Sequence, residues 1–215
     1  MAVVTFTPKI DNLEHFLAEC DLRHHPSKSM IISAGQPCES LFFILQGTVT
    51  IVLEPSPNKE IIVSYLNQGN FFGEMGLFNN SNTAAQRSAG ARAKTDCDIA
   101  EISYVKFRQL IQQYPDILYA LSSQMSDCLR NTSRKVGDLA FLDSTGRVAH
   151  ALLNLAKHAD ALTHPKGMQI KISRHELGHI AGCSREMAGR VLKNLEEQGL
   201  INVQGQTIVV FGTRE

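Results

Sequence analysis

Close cysteine pairs, long apolar runs and net charge are all missing from this 215-residue chain. The five cysteines, Cys20, Cys38, Cys97, Cys128 and Cys183, stand far apart with no CxxC among them. That spacing argues against a thiolate metal site and for a reducing compartment. No stretch of about 18 apolar residues occurs, so no membrane span is expected. The first residues, MAVVTFTPKI, lack the basic-then-apolar design of a secretory leader. A cytoplasmic protein is therefore expected. Histidine is missing between His25 and His150. A metalloenzyme on a small β-barrel would need histidines and a carboxylate converging inside it, so neither a metal nor an enzymatic activity is expected.

Lys+Arg and Asp+Glu balance at 21 each. They are not evenly spread. From Arg130 onward 12 basic residues face 8 acidic ones, a surplus of +4, which leaves 9 against 13, or −4, for the rest. A mildly basic C-terminal part is compatible with phosphate contacts, although many solvated faces look similar. Hydrophobic content of 43% and charged content of 20% describe a globular protein of one large or two small domains.

What is present is organised around Tyr114–Asp138. Leu118, Leu121, Met125, Cys128, Thr132 and Leu139 recur there at heptad spacing, the pattern of a helix that packs against a second helix. Pro115 fits the first helical turn. The seam ends in polar groups, Thr132 on it and Ser133 beside it, which cost stability unless something satisfies them. This reads as a dimer axis between a β-rich half and a helical half.

Before it, residues 11–20 form a short amphipathic helix with Leu13, Phe16 and Leu17 on one face. His24 and His25 follow and read as surface residues. From Lys28 to Ile102 come short β runs: Ser29–Ile32, Leu41–Gln46, Thr48–Leu53, Ile61–Leu66 and Ile99–Ser103. The breakers are Ala34–Pro37, Gln46-Gly47, Glu54–Asn58 and Asn67–Asn70. Regular short strands with Gly-rich turns suit a sandwich or jelly roll, whose interior has room for a small ligand. A candidate site follows from FGEMGLF at Phe72–Phe78 and RSA at Arg87–Ala89. Gly73 and Gly76 let backbone approach a ligand closely. Glu74 can accept from sugar hydroxyls, Arg87 offers a forked cationic donor for phosphate, and Ser88 adds a hydroxyl.

After it, Phe141–Asp143 reads as a hinge. Ser144–His158 reads as a helix with Val148, Leu152, Leu153 and Leu155 inward, Ala159–Gly167 as an exposed loop and Met168–Ile172 as a strand. Ser173 with Glu176 is a capping box that starts a short helix. Gly182 turns the chain, and Ser184 caps a second helix over Arg185–Gln198, with Gly178 at the close crossing. This is a helix-turn-helix, with Ile201–Val203 and Thr207–Val210 as a wing. Arg185, Glu186 and Arg190 are exposed near the start of the second helix, where they can read base edges and Ser184 can meet phosphate. The plainer alternative is surface pairing of Glu186 with Arg190.

FGE with RSA, PSKS at Pro26–Ser29, SYLNQG at Ser64–Gly69, RAKT at Arg92–Thr95, AEISY at Ala100–Tyr104 and Val136–Asp143 together resemble the cyclic-AMP receptor protein (catabolite activator) family. The resemblance runs from about Pro26 to Arg214. It implies an α+β fold: an N-terminal, cupin-like β-roll over 1–114, a dimerisation helix over 115–139 and a C-terminal winged helix-turn-helix over 140–215. It implies cyclic AMP as allosteric effector, with Gly73 and Glu74 on the ribose, Arg87 and Ser88 on the cyclic phosphate, Thr132 on the adenine amino group and Ser133 reaching the partner's nucleotide. It implies a homodimer on pseudo-palindromic double-stranded DNA, touched by Arg174, Ser184, Arg185, Glu186 and Arg190. Thr163, His164 and Lys106 would touch RNA polymerase. Several features depart from the family: a longer loop at Asn79–Gln86, Gly90-Ala91 for a bulkier pair, Lys166 for an acidic residue, and His175 and His179 in the first helix where relatives carry Gln or Arg. Cyclic di-GMP as effector, or no effector, remains the alternative; an iron–sulfur cluster lacks its cysteines and haem its ligand pair.

Overall fold

The computed structural model describes residues 12–56, 59–78, 86–157 and 161–213. They fall into two compact units, one running up to Asn131 and the other from Thr132.

The first unit opens with α1 (Leu13–Ala18), whose Phe16 is fully buried while Leu13 and Leu17 pack beside it. Eight strands follow: β1 (Asp21–His25), β2 (Met30–Ile32), β3 (Ser40–Gln46), β4 (Thr48–Ser56), β5 (Lys59–Asn67), β6 (Phe71–Phe72), β7 (Gly90–Ala93) and β8 (Cys97–Ser103). They form two antiparallel four-stranded sheets, ordered β1-β8-β3-β6 and β2-β7-β4-β5. The expected roll is there, and β3 and β8 send apolar residues from both their faces into buried cores. One core gathers Phe16, Leu41, Phe43, Phe71, Ile102 and Phe107; a second gathers Phe42, Ile44, Val49, Phe72 and Ile99.

Helix α2 (Tyr104–Gln113) is capped by the Ser103 hydroxyl, and α3 (Pro115–Phe141) follows. Here the expected seam needs a correction. Leu121 is fully buried in its own chain's core, and Met125, half-buried, packs against the same core. Ile117 and Ala120 join them. A stripe at three- and four-residue spacing says only that a helix face is covered, and here the roll's own core covers it. The exposed large apolar residues of α3 are Tyr119 (80%), Leu129 (69%), Val136 (61%), Leu139 (58%) and Phe141 (89%).

In the second unit, Asp143 caps α4 (Ser144–Ala156) by accepting from Gly146 N–H at 2.7 Å. Val148 and Leu152 face in as expected, but Leu153 is 42% exposed and Ala151 and Ala156 take the buried positions. Next come β9 (Leu162–His164), β10 (Gly167–Lys171), α5 (Arg174–Ala181), α6 (Arg185–Glu197), β11 (Ile201–Gln204) and β12 (Thr207–Phe211). The last four-stranded sheet runs β11-β12-β10-β9. The stretch read as an open loop thus contains β9, paired with β10 through Thr163↔Met168. At Gly167 a Cβ would stand 1.9 Å from the Val210 carbonyl oxygen, so only glycine lets β10 lie this close to β12. Arg147 of α4 ties the hinge to the end of α5: Nε donates to Ala181 C=O at 2.8 Å and Nη1 to Leu142 C=O at 2.9 Å. No described helix is long and apolar enough to cross a membrane.

Candidate nucleotide site and nucleic-acid interface

The first site grows out of one glycine. Gly73 leaves β6 with φ 80° and ψ 17°, a left-handed conformation that L side chains resist. A Cβ there would stand 2.7 Å from Arg87 Nη1 and 3.1 Å from Phe42 Cδ2. A short 3-10 turn, Glu74–Gly76, continues the chain, closed by Leu77 N–H to Glu74 C=O at 2.9 Å.

Arg87 is pinned from the other side. Its N–H donates to Gln36 C=O, and its own carbonyl accepts from Gly35 N–H, both at 2.8 Å. The side chain is 8% exposed. Nη1 donates to Gly73 C=O at 2.9 Å and to Tyr104 Oη at 3.3 Å; Nη2 donates to Ser40 C=O at 2.8 Å and Ser40 Oγ at 3.3 Å. The Phe42 ring lies 5.3 Å from Cζ. All these partners are neutral. Burying a cation is costly unless opposite charge compensates it. Dipoles hold the guanidinium in place and leave its charge for an anion.

Glu74 stands half-buried beside it. Burial pushes its carboxyl above the usual range, while its own backbone N–H and the charge of Arg87 pull it back. A buried cation, a carboxylate and a glycine at close approach suit a ligand with a phosphate and neighbouring hydroxyls. Ser88 is exposed, and its hydroxyl donates to Met75 Sδ at 3.0 Å. The structure therefore brings Gly73, Glu74 and Arg87 together, with Ser88 next in chain and turned to Met75. Thr132 and Ser133 lie exposed on α3. Most of the loop Asn79–Gln86 lies outside the described residues. Sequence reasoning missed the support behind Arg87. Tyr104 Oη donates to Gly73 C=O at 2.5 Å and meets Cys38 Sγ at 2.9 Å, and Ser40 Oγ donates to Glu101 Oε1 at 2.7 Å. Ser40 and Tyr104 open a strand and a helix, and nothing in a local pattern singles them out.

The second site is the pair α5 and α6. Ser173 Oγ accepts from Glu176 N–H and Ser184 Oγ from Met187 N–H, both at 3.1 Å, so each helix starts on a side-chain cap. Gly182 ends α5 at φ 62°, and Cys183 N–H reaches back to Gly178 C=O at 2.9 Å. A Cβ on Gly178 would sit 2.8 Å from Cys183 C=O, so the close crossing requires glycine. Leu177, Ala181, Ala188, Val191 and Leu192 are buried. That leaves Arg174, Ser184, Arg185, Glu186 and Arg190 exposed, with the Arg174 side chain passing close to Gly189 of α6. His175 and His179 lie side by side on α5, ring centroids 4.1 Å apart. Burial pushes the Cys183 thiol up, against the pull of Arg147. Of the remaining candidates, Thr163 is exposed on β9, His164 Nδ1 accepts from Lys166 N–H at 3.2 Å, and Lys106 on α2 lies 4.0 Å from Glu19.

Comparison with known proteins identifies two domains. Residues 22–114 match the cyclic nucleotide-binding domain and residues 146–211 the Crp-like helix-turn-helix domain. The chain is 60% identical over 214 residues, 100% of both chains, to the cAMP-activated global transcriptional regulator Vfr of Pseudomonas aeruginosa. It is 58% identical over 208 residues, 96% of this chain and 98% of the other, to the cAMP-activated global transcriptional regulator CRP of Salmonella typhimurium. Among solved structures, the c-di-GMP-responsive global regulator CLP of Xanthomonas campestris superposes with a TM-score of 0.86 at 42% identity, covering 94% of this chain and 98% of the other.

Proposed function

The chain belongs to the cyclic-AMP receptor protein family, and from that premise we propose that it is a cyclic-AMP-responsive, sequence-specific transcriptional regulator. The observation that carries this reading is Arg87, a buried guanidinium with neutral partners beside Gly73 and Glu74. The cyclic phosphate takes that charge, Ser88 turns from Met75 to the same oxygens, and the ribose hydroxyl donates to Glu74. Thr132 and Ser133 then meet the base, one from each subunit of a homodimer.

Residues 1–114 sense, 115–139 join the subunits and 140–215 bind DNA. The exposed Leu129, Val136 and Leu139 support a dimer along the second half of α3. Nucleotide acts only through its preference for the arrangement that fits DNA. Helix α6 enters the major groove with Arg185, Glu186 and Arg190 at base edges, while Ser184 and Arg174 hold phosphates. This docking is the one established for the motif, this family included. Twofold symmetry gives half-sites about one DNA turn apart. Thr163 and His164 contact RNA polymerase, as does Lys106, and the protein works in the cytoplasm. Thr163→Ala should lower transcription from a responsive promoter and leave DNA affinity unchanged; equal transcription would remove that contact.

The test is fluorescence anisotropy of a labelled palindromic duplex at fixed salt, with and without cyclic AMP. Tight binding only with the nucleotide, lost in Arg87→Leu, is the expected result. Equal binding without it would keep the DNA reading and sink cyclic AMP as switch. The likeness to the Xanthomonas regulator favours cyclic di-GMP as second reading, and the same titration with that nucleotide separates the two.

A further inference from the structure

Residues 175–179 read His-Glu-Leu-Gly-His, the H-E-x-x-H pattern that, on a helix, sets two imidazoles on one face for a metal ion. The structure meets that condition. Both histidines lie on α5, one turn apart, with ring centroids at 4.1 Å and planes at 51°. One ion bound at about 2.0–2.1 Å to a nitrogen of each ring requires the two rings to open from this packing about their side-chain torsions. In the peptidases that share the pattern, a third protein ligand completes the site. Among the described residues no group of three or more His, Cys, Asp or Glu converges, so two imidazoles are what the protein supplies and hydrolysis is not the use.

The pair's position gives the missing ligand. His175 is exposed and follows Arg174, whose side chain runs along α6 at Gly189. In a helix-turn-helix the first helix crosses the DNA backbone. Resting on the DNA-binding reading above, we propose that His175 and His179 bind one divalent ion of the zinc class, with a phosphate oxygen of the duplex as a further ligand. Imidazole and phosphate oxygen are both ordinary ligands for such an ion. The ion adds two positive charges beside Arg174, so it strengthens binding to DNA of any sequence and leaves base discrimination by α6 as it was.

The test uses the full-length protein. Calorimetric titration with zinc chloride compares the wild type with His175→Gln, His179→Gln and His15→Gln, the last lying on α1. Zinc held elsewhere, at exposed Cys128 for example, is common to all four and cancels. Expected is one site per chain lost or weakened at least about tenfold in either α5 variant and kept in His15→Gln. Anisotropy with cyclic AMP should then show zinc tightening duplex binding severalfold in the wild type and not in His175→Gln, equally for specific and scrambled duplexes. Equal zinc binding by wild type and both α5 variants would overturn the site. Zinc binding at α5 without any change in duplex affinity would overturn the phosphate ligand. If no protein bound duplex under any condition, the DNA reading itself would fall and the phosphate ligand with it, while the calorimetry would still decide the imidazole pair.

Discussion

Arg87 donates through both Nη atoms to backbone carbonyls of Gly73 and Ser40, a geometry that depends on a flat fork. Lysine keeps the charge and loses the fork. Arg87→Lys should therefore weaken cyclic AMP by at least about tenfold and Arg87→Leu by about a hundredfold or more, read by calorimetry. Gly73→Ala tests the cradle itself. The left-handed backbone costs about 1 kcal/mol or more with a Cβ, and the new methyl stands 2.7 Å from Arg87 Nη1. Loss of nucleotide affinity together with a melting point lower by about 2–4 °C is expected; an unchanged affinity would show that the guanidinium has room to move. Glu74 carries a pH signature. Burial raises its carboxyl, so the folded chain keeps a proton that the unfolded chain has already released. Ionised Glu74 then opposes folding above the ordinary glutamate range. Glu74→Gln should melt higher than wild type at pH 7, the gap closing as pH falls through the ordinary range, while cyclic AMP binding weakens. A gap independent of pH would rule out burial as its source.

At the scale of elements, the helix-turn-helix hangs on Gly178. Gly178→Ala presses a methyl against backbone at Cys183 C=O, 2.8 Å away, where no side chain can yield. Duplex affinity should fall more than about tenfold, because a shift of α6 misplaces several contacts at once, while nucleotide binding persists. Much of this element was legible beforehand, since its caps and glycines are local chemistry: Ser173, Gly178, Gly182 and Ser184 each do what the sequence suggests. The strands were legible where apolar residues cluster, as in β3. They were not where the strand is exposed: β1 shows four exposed residues of five, and β9 hides in a polar stretch. Pattern carries no signal when neither face is covered. Strand β4 also runs on through Pro55 to Ser56, into the expected break; there it has left β7, whose pairing ends at Val52, and a missing N–H costs little on an open side. The heptad on α3 reads as a covered face without saying what covers it: Leu121 and Met125 keep the spacing, and their own chain's core covers Leu121 fully and Met125 in part. At the nucleotide site, Gly73, Glu74 and Arg87 were readable as a motif; Ser40, Phe42 and Tyr104 were not, because only the closed roll brings residues so distant in sequence to one guanidinium.

Across the whole molecule, charge of zero conceals an acidic N-terminal part and a basic C-terminal one. DNA affinity in the presence of cyclic AMP should fall linearly on a log–log plot against salt. Arg174→Gln should make that slope shallower by about 0.9, the share of one phosphate contact. A full slope in the variant would take Arg174 off the backbone. The largest feature of the molecule is α3, a single helix of 27 residues. Its first turns, with Ile117, Ala120 and Leu121 buried, belong to one compact unit, and from Thr132 it counts with the other. One rod therefore has two clocks. Amide protons near Leu121 should exchange with deuterated solvent only when the whole roll opens, whereas those around Asn131 to Arg134, where the side chains are exposed in an isolated chain, are guarded by little more than the helix's own ladder and should exchange far sooner. The ratio of those two exchange rates, followed against protein concentration, reports how much of the rod's lifetime is borrowed from a second chain.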